Sequence, residues 1–414
     1  MKKRRVVITA VGVVSSIGIG KDDFWKANLA GKSGVSAITH FDPSLLGSKV
    51  SGQIRNFNPE DYMDRDTAKK ADRFVHLGLA ASKLAFDDWK GDLDKEDRVR
   101  IGVIYGSGLG GVLFHEEQMI RAYDKGSHRL HPLCVPRVSP NAVASQIAIY
   151  FKLLGPNMVI SNACASGTNG IGEAYRKIQS GDADMVVTGG AEAPLTEFTF
   201  GAYDAMRALS KHNAEPEKAS RPFDAQRDGF VLGEGAATLV LEDLEHAQKR
   251  GSHIYAEITG YFSNSGAYHM AIPEPTASDI SRAMAGAIKD AGLTIKDIDY
   301  INAHGTSTTL NDKVETKGIK DVFGETARKI PISSTKSMVG HSIGAAGAIE
   351  AVACCLAIED QIAPPTINYE NPDPECDLDY VPCQPRQVKI KNILSNSFGF
   401  GSNNACLIFS KFKD

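Results

Sequence analysis

Three side chains of reactive type stand among small residues in this sequence. Cys164 lies in the segment 162–167, His304 in the segment 302–308, and His341 is followed by Gly344. An apolar segment precedes Cys164 and a segment of helical character follows it. Backbone N–H groups at a helix start are unpaired and partly positive, so we predict a stabilised thiolate and a lowered pKa for Cys164.

A cysteine with two histidines suits acyl transfer followed by carbon–carbon bond formation. The thiolate would take an acyl group from a thioester, and two neutral imidazoles would stabilise negative charge on a second carbonyl oxygen. Loss of CO₂ from a malonyl group creates such an enolate, which then attacks the acyl-cysteine. A cysteine-dependent thioester hydrolase is the alternative, and a buried structural cysteine is the commoner fate of a free thiol.

Two charged residues are candidates for support of this centre. Lys336 precedes His341 by five positions, and Glu350 lies in the Ala-rich segment that follows it. We predict that both lie next to the reactive groups and support them without reacting themselves, although either could instead be exposed to solvent. The remaining histidines lie in polar or helical contexts and receive no functional role.

The glycine-rich stretch 106–111 fits G-x-G-x-x-G and follows a predicted strand, 99–105. A dinucleotide fold would also need a second strand ending in an acidic residue about 20 positions later. The segment 123–129 is polar and is predicted to be a loop. We therefore interpret the stretch as a tight turn beside a pocket.

The elements around the reactive residues occur twice. The pattern Cys164-x-x-Gly-x-x-Gly opens one predicted helix, and His341-x-x-Gly-x-x-Gly opens another, each after a strand. Glycines at steps of three leave one helix face bare, so two such helices can pack closely. The sequence predicts two similar α/β halves, residues 1–251 and 252–414, although chance in a glycine-rich chain is the alternative.

Composition excludes several classes of protein. The 414 residues carry a formal net charge of −4 without a long basic block, so we expect no nucleic-acid partner. No run of 18 apolar residues occurs, so we expect no membrane insertion. The cysteines form no C-x-x-C pair and are odd in number, which indicates reduced thiols and a cytoplasmic location. They are Cys134, Cys164, Cys354, Cys355, Cys376, Cys383 and Cys406.

Nearly the whole chain resembles the elongating β-ketoacyl-[acyl-carrier-protein] synthases, which are condensing enzymes of the thiolase superfamily. Starter-unit synthases have Asn in place of the second His, and thiolases have a second Cys. The motifs that carry the resemblance are 162–167, 221–224, 227–230, 233–235, 302–308, 336–341 and 396–401.

The resemblance implies a five-layered αβαβα thiolase fold, a homodimer, and an acyl carrier protein as partner. It makes Cys164 the acylated nucleophile and places the malonyl thioester carbonyl at His304 and His341. The backbone N–H groups of Cys164 and Phe400 would form the oxyanion hole. No cofactor is implied, because the carrier protein brings the phosphopantetheine. The implied substrate-binding residues are Thr306, Thr308, Leu109, Phe230 and Cys134, with Phe400 also acting as a gate.

Some positions depart from the family pattern. Thr309 replaces a usual Pro, which would loosen its loop, and Cys134 replaces a bulkier residue beside the partner's acyl tunnel. We expect no metal, although related enzymes carry a monovalent cation near Asn302, Glu350, Ser395 and Asn396. The resemblance favours the elongation step of fatty acid biosynthesis, with a polyketide-type ketosynthase as the alternative.

Overall fold

The computed structural model describes residues 3–413 of the protein. Its strands are β1 (Val6–Ser15), β2 (Gly18–Ile19), β3 (Ser36–Ala37), β4 (Val50–Ser51), β5 (Ile101–Gly106), β6 (Asn157–Ile160), β7 (Met185–Glu192), β8 (Gly235–Asp243), β9 (Ala256–Ser265), β10 (Tyr300–Asn302), β11 (Ile332–Ser333), β12 (Ile362–Ala363), β13 (Arg386–Gln387), β14 (Asn392–Gly399) and β15 (Asn403–Ser410).

The α-helices of the described residues are α1 (Lys21–Leu29), α2 (Arg65–Lys70), α3 (Arg73–Trp89), α4 (Val112–Lys125), α5 (Cys134–Val138), α6 (Ala142–Phe151), α7 (Ser166–Ser180), α8 (Glu197–Ala205), α9 (Leu244–Lys249), α10 (Ser278–Asp290), α11 (Thr309–Phe323), α12 (Lys336–Val339) and α13 (Ala346–Asp360). No helix of residues 3–413 is both long and apolar enough to cross a membrane.

Ten of the eleven strands of the main sheet form two sets of five with the same topology, and the short β2 pairs with β1. Neighbouring strands run β6-β5-β7-β8-β1 in the first set and β11-β10-β14-β15-β9 in the second. In both sets, the strands that lie side by side are the third, second, fourth, fifth and first of that set along the chain. The two sets join where β1 pairs with β9 over Val6–Ile8. The predicted repeat of one fold is therefore present, while the division into domains 1–251 and 252–414 stays a prediction.

Helices cover these strands in layers. Helices α3 and α6 pack on the outer face of the first set, and α10 and α11 lie in the outer layer of the second. Helices α7 and α13 lie between the two sets in the largest apolar core. The layers therefore follow one another as helices, strands, helices, strands and helices. This is the predicted five-layered α/β arrangement.

The inner helices meet through glycines. A Cβ on Gly167 would lie 2.8 Å from the carbonyl oxygen of Gly344, and one on Gly347 would lie 2.0 Å from Thr168 Oγ1. No real Cβ is accommodated at such distances, so only glycine permits this approach. The predicted close packing of the two helices is confirmed.

The structure corrects the register of the repeat by three residues. A short 3₁₀ turn, Ala163–Ala165, precedes α7, and the turn Ile343–Ala345 precedes α13. Both helices then run for 15 residues. The counterpart of Cys164 is therefore Gly344 and not His341, which lies before the second turn.

Helices α4 and α11 were absent from the sequence prediction. The polar segment after the glycine stretch was predicted as a loop, yet α4 continues to Lys125 before a 3₁₀ turn follows. Helix α11 begins at an N-cap, Thr308, whose side chain accepts a bond from Asn311 N–H. Polar faces on both helices weaken the apolar periodicity from which a helix is predicted.

Candidate active site

Cys164 lies at the change from strand to helix, as the sequence predicts. The turn that carries it begins with Ala163 in the left-handed region, at φ 48°. Ser166 holds this bend, because its hydroxyl donates to the carbonyl oxygen of Ala163 (2.6 Å) and accepts from Asn162 N–H (2.9 Å). Cys164 is only 5% exposed at the bottom of a cavity.

The predicted lowering of the Cys164 pKa is wrong for this structure. Burial raises the pKa of the thiol to about 11, although the Lys336 charge and the Phe400 N–H oppose the rise. Desolvation of the charged form outweighs the partial positive charge at the helix start. Cys164 is thus a neutral thiol at pH 7, and attack on a thioester requires a group that accepts its proton.

His341 is the group next to that thiol. Its Nε2 lies 3.0 Å from Cys164 Sγ, and its backbone N–H donates to the Val231 carbonyl at 2.7 Å. Burial, with a contribution from the Lys336 charge, lowers the pKa of His341 well below its usual value. The ring is therefore neutral, and its Nδ1 has no hydrogen-bond partner among residues 3–413.

His304 follows β10 and faces the same space. One reactive atom from each of Cys164, His304 and His341 lies within 4.8 Å of the others. The two imidazole rings are 5.4 Å apart between centroids and nearly perpendicular, at 85°. Burial, the Lys336 charge and His341 lower the pKa of His304 well below its usual value, so this ring is also neutral.

Lys336 fixes the tautomer of His304. Its ammonium lies 3.3 Å from His304 Nδ1 and donates to the His304 carbonyl oxygen at 2.7 Å. An ammonium only donates, so Nδ1 accepts and the ring proton is on Nε2. His304 consequently presents a donor to the cavity, as stabilisation of an enolate oxygen requires.

Lys336 and Glu350 form a buried ion pair behind the histidines, each side chain being 2% exposed. Burial raises the pKa of Glu350 to about 7, while the Lys336 charge opposes this rise. Both predicted charged residues are therefore in contact with the centre or with each other. Neither is solvated.

Glu315 was missed by the sequence analysis. Its two carboxylate oxygens accept from the backbone N–H groups of His304 and Gly305, both at 2.8 Å. Asp312, one turn earlier on α11, accepts from Thr306 N–H at 3.1 Å. The signal was present in the N-cap Thr308 followed by acidic residues, which is typical of a helix start.

The cavity above the three residues has a volume of about 350 Å³. Of the predicted substrate-binding residues, Phe230, Thr306, Thr308 and Phe400 line it, and so does Thr309. Within the described residues its wall does not include Leu109 or Cys134. Their place beside an acyl tunnel stays a prediction.

The predicted cation position has a suitable set of oxygens. Glu350 Oε2 is buried and has no hydrogen-bond partner within residues 3–413. Ser395 donates to Asn302 Oδ1 at 3.4 Å, a long bond that leaves this oxygen available. Asn396 fits less well, because its Oδ1 lies 3.3 Å from Cys406 Sγ. A monovalent cation at these residues stays a prediction, as does the absence of any metal.

The glycine stretch already has an anionic partner within the protein. The N–H groups of Gly108 and Leu109 donate to the carboxylate of Glu192, at 2.6 and 3.1 Å. These are the backbone donors that a phosphate would require. The interpretation of 106–111 as a tight turn agrees with this arrangement, but none of these residues lines the cavity, so a position beside the pocket stays a prediction.

The fold is that of the thiolase-like ketosynthases. Residues 3–247 match the model of the β-ketoacyl synthase N-terminal domain, and residues 255–370 match that of the C-terminal domain. The chain therefore belongs to the β-ketoacyl synthase family.

Individual relatives match over their full length. The 3-oxoacyl-[acyl-carrier-protein] synthase 2 of Coxiella burnetii is 46% identical over 414 residues, 100% of both chains. A β-ketoacyl synthase structure from Burkholderia phymatum has a TM-score of 0.92 and 37% identity, covering 99% of this chain and 100% of its own. A type II polyketide ketosynthase, solved in complex with its acyl carrier protein, has a TM-score of 0.91 and 36% identity at the same coverage.

Proposed function

We propose that the protein condenses acyl-[acyl-carrier-protein] with malonyl-[acyl-carrier-protein], with loss of CO₂, to give 3-oxoacyl-[acyl-carrier-protein]. The observation that carries the proposal is the grouping of Cys164, His341 and the donor-presenting His304 at the base of one cavity. The name of the full-length relative supports the same reaction.

The reaction divides into two steps at these residues. His341 Nε2 takes the proton of Cys164 as Sγ attacks the acyl thioester, and the carrier thiolate takes a proton from solvent as it leaves. The malonyl thioester then enters, and the Nε2–H groups of the two rings stabilise the enolate oxygen as CO₂ departs. The enolate carbon attacks the acyl-cysteine, which breaks the C–S bond, and the Cys164 thiolate takes its proton back from His341 Nε2.

Acyl carrier protein is the proposed partner, and a homodimer is the proposed assembly. A ketosynthase similar to this chain was solved with its carrier protein, which supports the first point. The second is supported by β6, which ends the sheet with one edge unpaired among the described strands. The cytoplasmic location and the absence of a cofactor stay predictions.

An extension assay with purified acyl and malonyl carrier proteins tests the function. We expect 3-oxoacyl product and one CO₂ for each condensation. Release of free acid without CO₂ would indicate the thioester hydrolase instead.

A polyketide-type ketosynthase is the second candidate, favoured by the likeness to the polyketide structure. The same assay, run with malonyl carrier protein alone and without a reductase, separates the two. Products extended by several unreduced units would favour the polyketide activity, and a single condensation on saturated acyl chains would favour fatty acid elongation.

A further inference from the structure

The C-terminal half contains a counterpart of the nucleophile turn. Cys164 and Gly344 are each the middle residue of a three-residue 3₁₀ turn before an inner helix. Each turn opens with a non-glycine residue in the left-handed region, Ala163 at φ 48° and Ile343 at φ 45°. Such backbone is costly and is kept where the surroundings hold it.

Each turn packs against the end of a strand from the other half of the molecule. The turn of Cys164 packs against the end of β14, where Gly399 precedes Phe400, and the turn of Gly344 packs against the end of β7. Both strands are the fourth of their set. In the first case the N–H groups of Cys164 and Phe400 face the thiol and the cavity. In the second case Gly344 N–H donates to Glu192 Oε2 at 3.0 Å.

At the second turn, the Glu192 carboxylate lies where, by analogy, a substrate oxygen would lie at the first turn. Besides Gly344, its carboxylate accepts from Gly108 N–H, Leu109 N–H and the Ser107 hydroxyl, at 2.6, 3.1 and 3.2 Å. Four donors converge on one side chain with no exposed surface. Only an ionised carboxylate, which accepts at every lone pair, satisfies them all.

This second turn has no room for a nucleophile. A Cβ on Gly344 would lie 2.4 Å from Gly108 N and 2.5 Å from Glu192 Oε2. The glycine at this position therefore permits the carboxylate to reach the turn that follows His341.

We propose that Glu192 is a positioning residue for condensation: its carboxylate fills the second half's counterpart of the oxyanion hole and fixes the segment 341–344 against the turn 107–109. The inference rests on the proposed function. Through this bridge Glu192 sets the distance between the His341 imidazole and Cys164, without touching substrate.

The charge of Glu192 also acts on the thiol. It contributes to the raised pKa of Cys164, where burial is the main cause and the Lys336 charge opposes it. Burial raises the pKa of Glu192 itself to about 7 against its four donors. Burial raises the pKa of Tyr203, and the charges of Cys164 and Glu192 add to that rise. Loss of this charge should make Cys164 easier to ionise.

Glu192→Gln tests the proposal, because it keeps the shape but turns an N–H₂ group toward backbone donors. At about pH 8 we expect kcat for condensation to fall about 100-fold, as for a misplaced catalytic group. The pH dependence of Cys164 alkylation by iodoacetamide should move to lower pH. A purely structural role, by loosening the fold and exposing the thiol, would shift the midpoint similarly in a matched variant of another buried carboxylate.

Asp72→Asn is the matched control. Asp72 is also buried and accepts backbone N–H bonds, from Phe74 at 3.1 Å and Phe114 at 2.7 Å, but it does not line the cavity. We expect it to lower thermal stability and leave the alkylation midpoint unchanged. An equal shift in both variants, or no change in Glu192→Gln, would overturn the proposal.

Ser107→Ala is a milder variant in case Glu192→Gln does not fold. It removes one of the four donors, so we expect kcat to fall about five- to tenfold. Unchanged kcat there, with Glu192→Gln unfolded, would count against a positioning role. The alkylation measurement needs no carrier protein, so it reports on Glu192 even if the parent protein does not condense.

Discussion

The thiol of Cys164 must lose its proton before it attacks, and its raised pKa makes that loss harder. His341 Nε2 is 3.0 Å from Sγ and belongs to a neutral ring, so it can take the proton. His304 instead has its Nδ1 committed to Lys336. The two histidines are therefore unequal: one serves both steps and the other serves only the second.

The two histidines should differ when each is removed. His304→Ala should lose malonyl decarboxylation by about 100- to 1000-fold, as for loss of one oxyanion donor, while still forming acyl-Cys164. His341→Ala should lose decarboxylation similarly and should acylate more slowly, because the thiol loses its proton acceptor. Release of CO₂ and acyl-enzyme formation are measured separately. Decarboxylation at the parent rate in both variants would contradict the assignment.

Cys164→Gln completes this set, because the amide resembles the acylated cysteine in shape. It should not condense, yet it should still release CO₂ from the malonyl thioester, since both histidines remain. Absence of CO₂ release would mean that the thiol itself takes part in decarboxylation.

Cys164 should be the only cysteine that accepts the acyl group. Mass spectrometry of peptides from the acylated protein should locate the modification on Cys164, and Cys164→Ala should abolish it. Cys383→Ala is the control, because Cys383 is exposed and does not line the cavity. Acylation that persists in Cys164→Ala would exclude this residue as the nucleophile.

Residue types and spacing predicted the reactive centre but not its support. Cys164, His304 and His341 stand out because each lies among small residues next to an apolar segment. Glu192 and Glu315 do not, because their partners are backbone N–H groups more than eight positions away. Such bonds depend on how strands and turns are brought together. The predicted direction of the Cys164 pKa shift was wrong for a related reason, since burial is a property of the whole fold.

At the scale of elements, the glycines of the inner helices have a measurable role. Gly347→Ala would place a Cβ 2.0 Å from Thr168 Oγ1 and 3.0 Å from Ser397 Oγ. We expect the free energy of unfolding to fall by about 1–3 kcal/mol, as for other overpacked cores. Gly201→Ala is the control, because it lies in α8 with only Leu46 within 4 Å, at 3.8 Å. It should be neutral or slightly stabilising in denaturant titration.

A second element, α9, is tied to β8 by a charged cluster. Glu242 accepts from His246 Nδ1 (2.6 Å) and Arg250 (2.6 Å), and Glu96 lies 2.9 Å from His246 Nε2. The hydrogen bond to Glu242 raises the pKa of His246 to about 9, although burial opposes it. Protonated His246 therefore stabilises the folded chain fully below its unfolded pKa of about 6.5.

This stabilisation should be lost as the pH rises from about 6.5 through about 9. Urea titrations across that range should show a falling free energy of unfolding in the parent and a flatter profile in His246→Gln. His128→Gln, at an exposed histidine on a surface turn, should keep the parent profile. Equal slopes in the parent and His246→Gln would show that this histidine does not contribute.

Helices with an apolar stripe were predictable, and those with polar faces were not. Helix α3 (Arg73–Trp89) has such a stripe, since its apolar residues recur at three- and four-residue steps. Helix α11 carries Asp312 and Glu315 as buried residues, so polar side chains occupy positions where a core helix usually has apolar ones. These buried carboxylates made the helix hard to predict, and they also hold the loop that carries His304.

At the scale of the whole molecule, the same backbone arrangement occurs twice, but the two copies carry different chemical groups. Both halves keep the strand order, the left-handed residue, the 3₁₀ turn and the inner helix of 15 residues. Only the first turn carries a nucleophile, while Glu192 closes the second. The sequence pattern revealed the repeat through its glycines, but the true register required the positions of the turns.

The chain should be a dimer through β6, whose outer edge is unpaired among the described strands. Val103 N–H donates to Pro156 O (2.8 Å) and Ser107 N–H to Ile160 O (3.2 Å). With the two-residue period of a strand, Val159 N–H then points away from β5. An unpaired, partly apolar edge favours pairing with a second copy.

Val159→Pro should therefore weaken the dimer, because it removes an outward donor while the bonds to β5 remain. Sedimentation at micromolar concentration should give a dimer mass for the parent protein and a lower mass for the variant, with similar circular dichroism spectra. Leu45→Ser is the control. Leu45 is 97% exposed and lies outside β6, so this substitution should leave the dimer intact. A monomeric parent at this concentration would contradict the assembly. A dimer unaffected by Val159→Pro would place the interface elsewhere on the molecule.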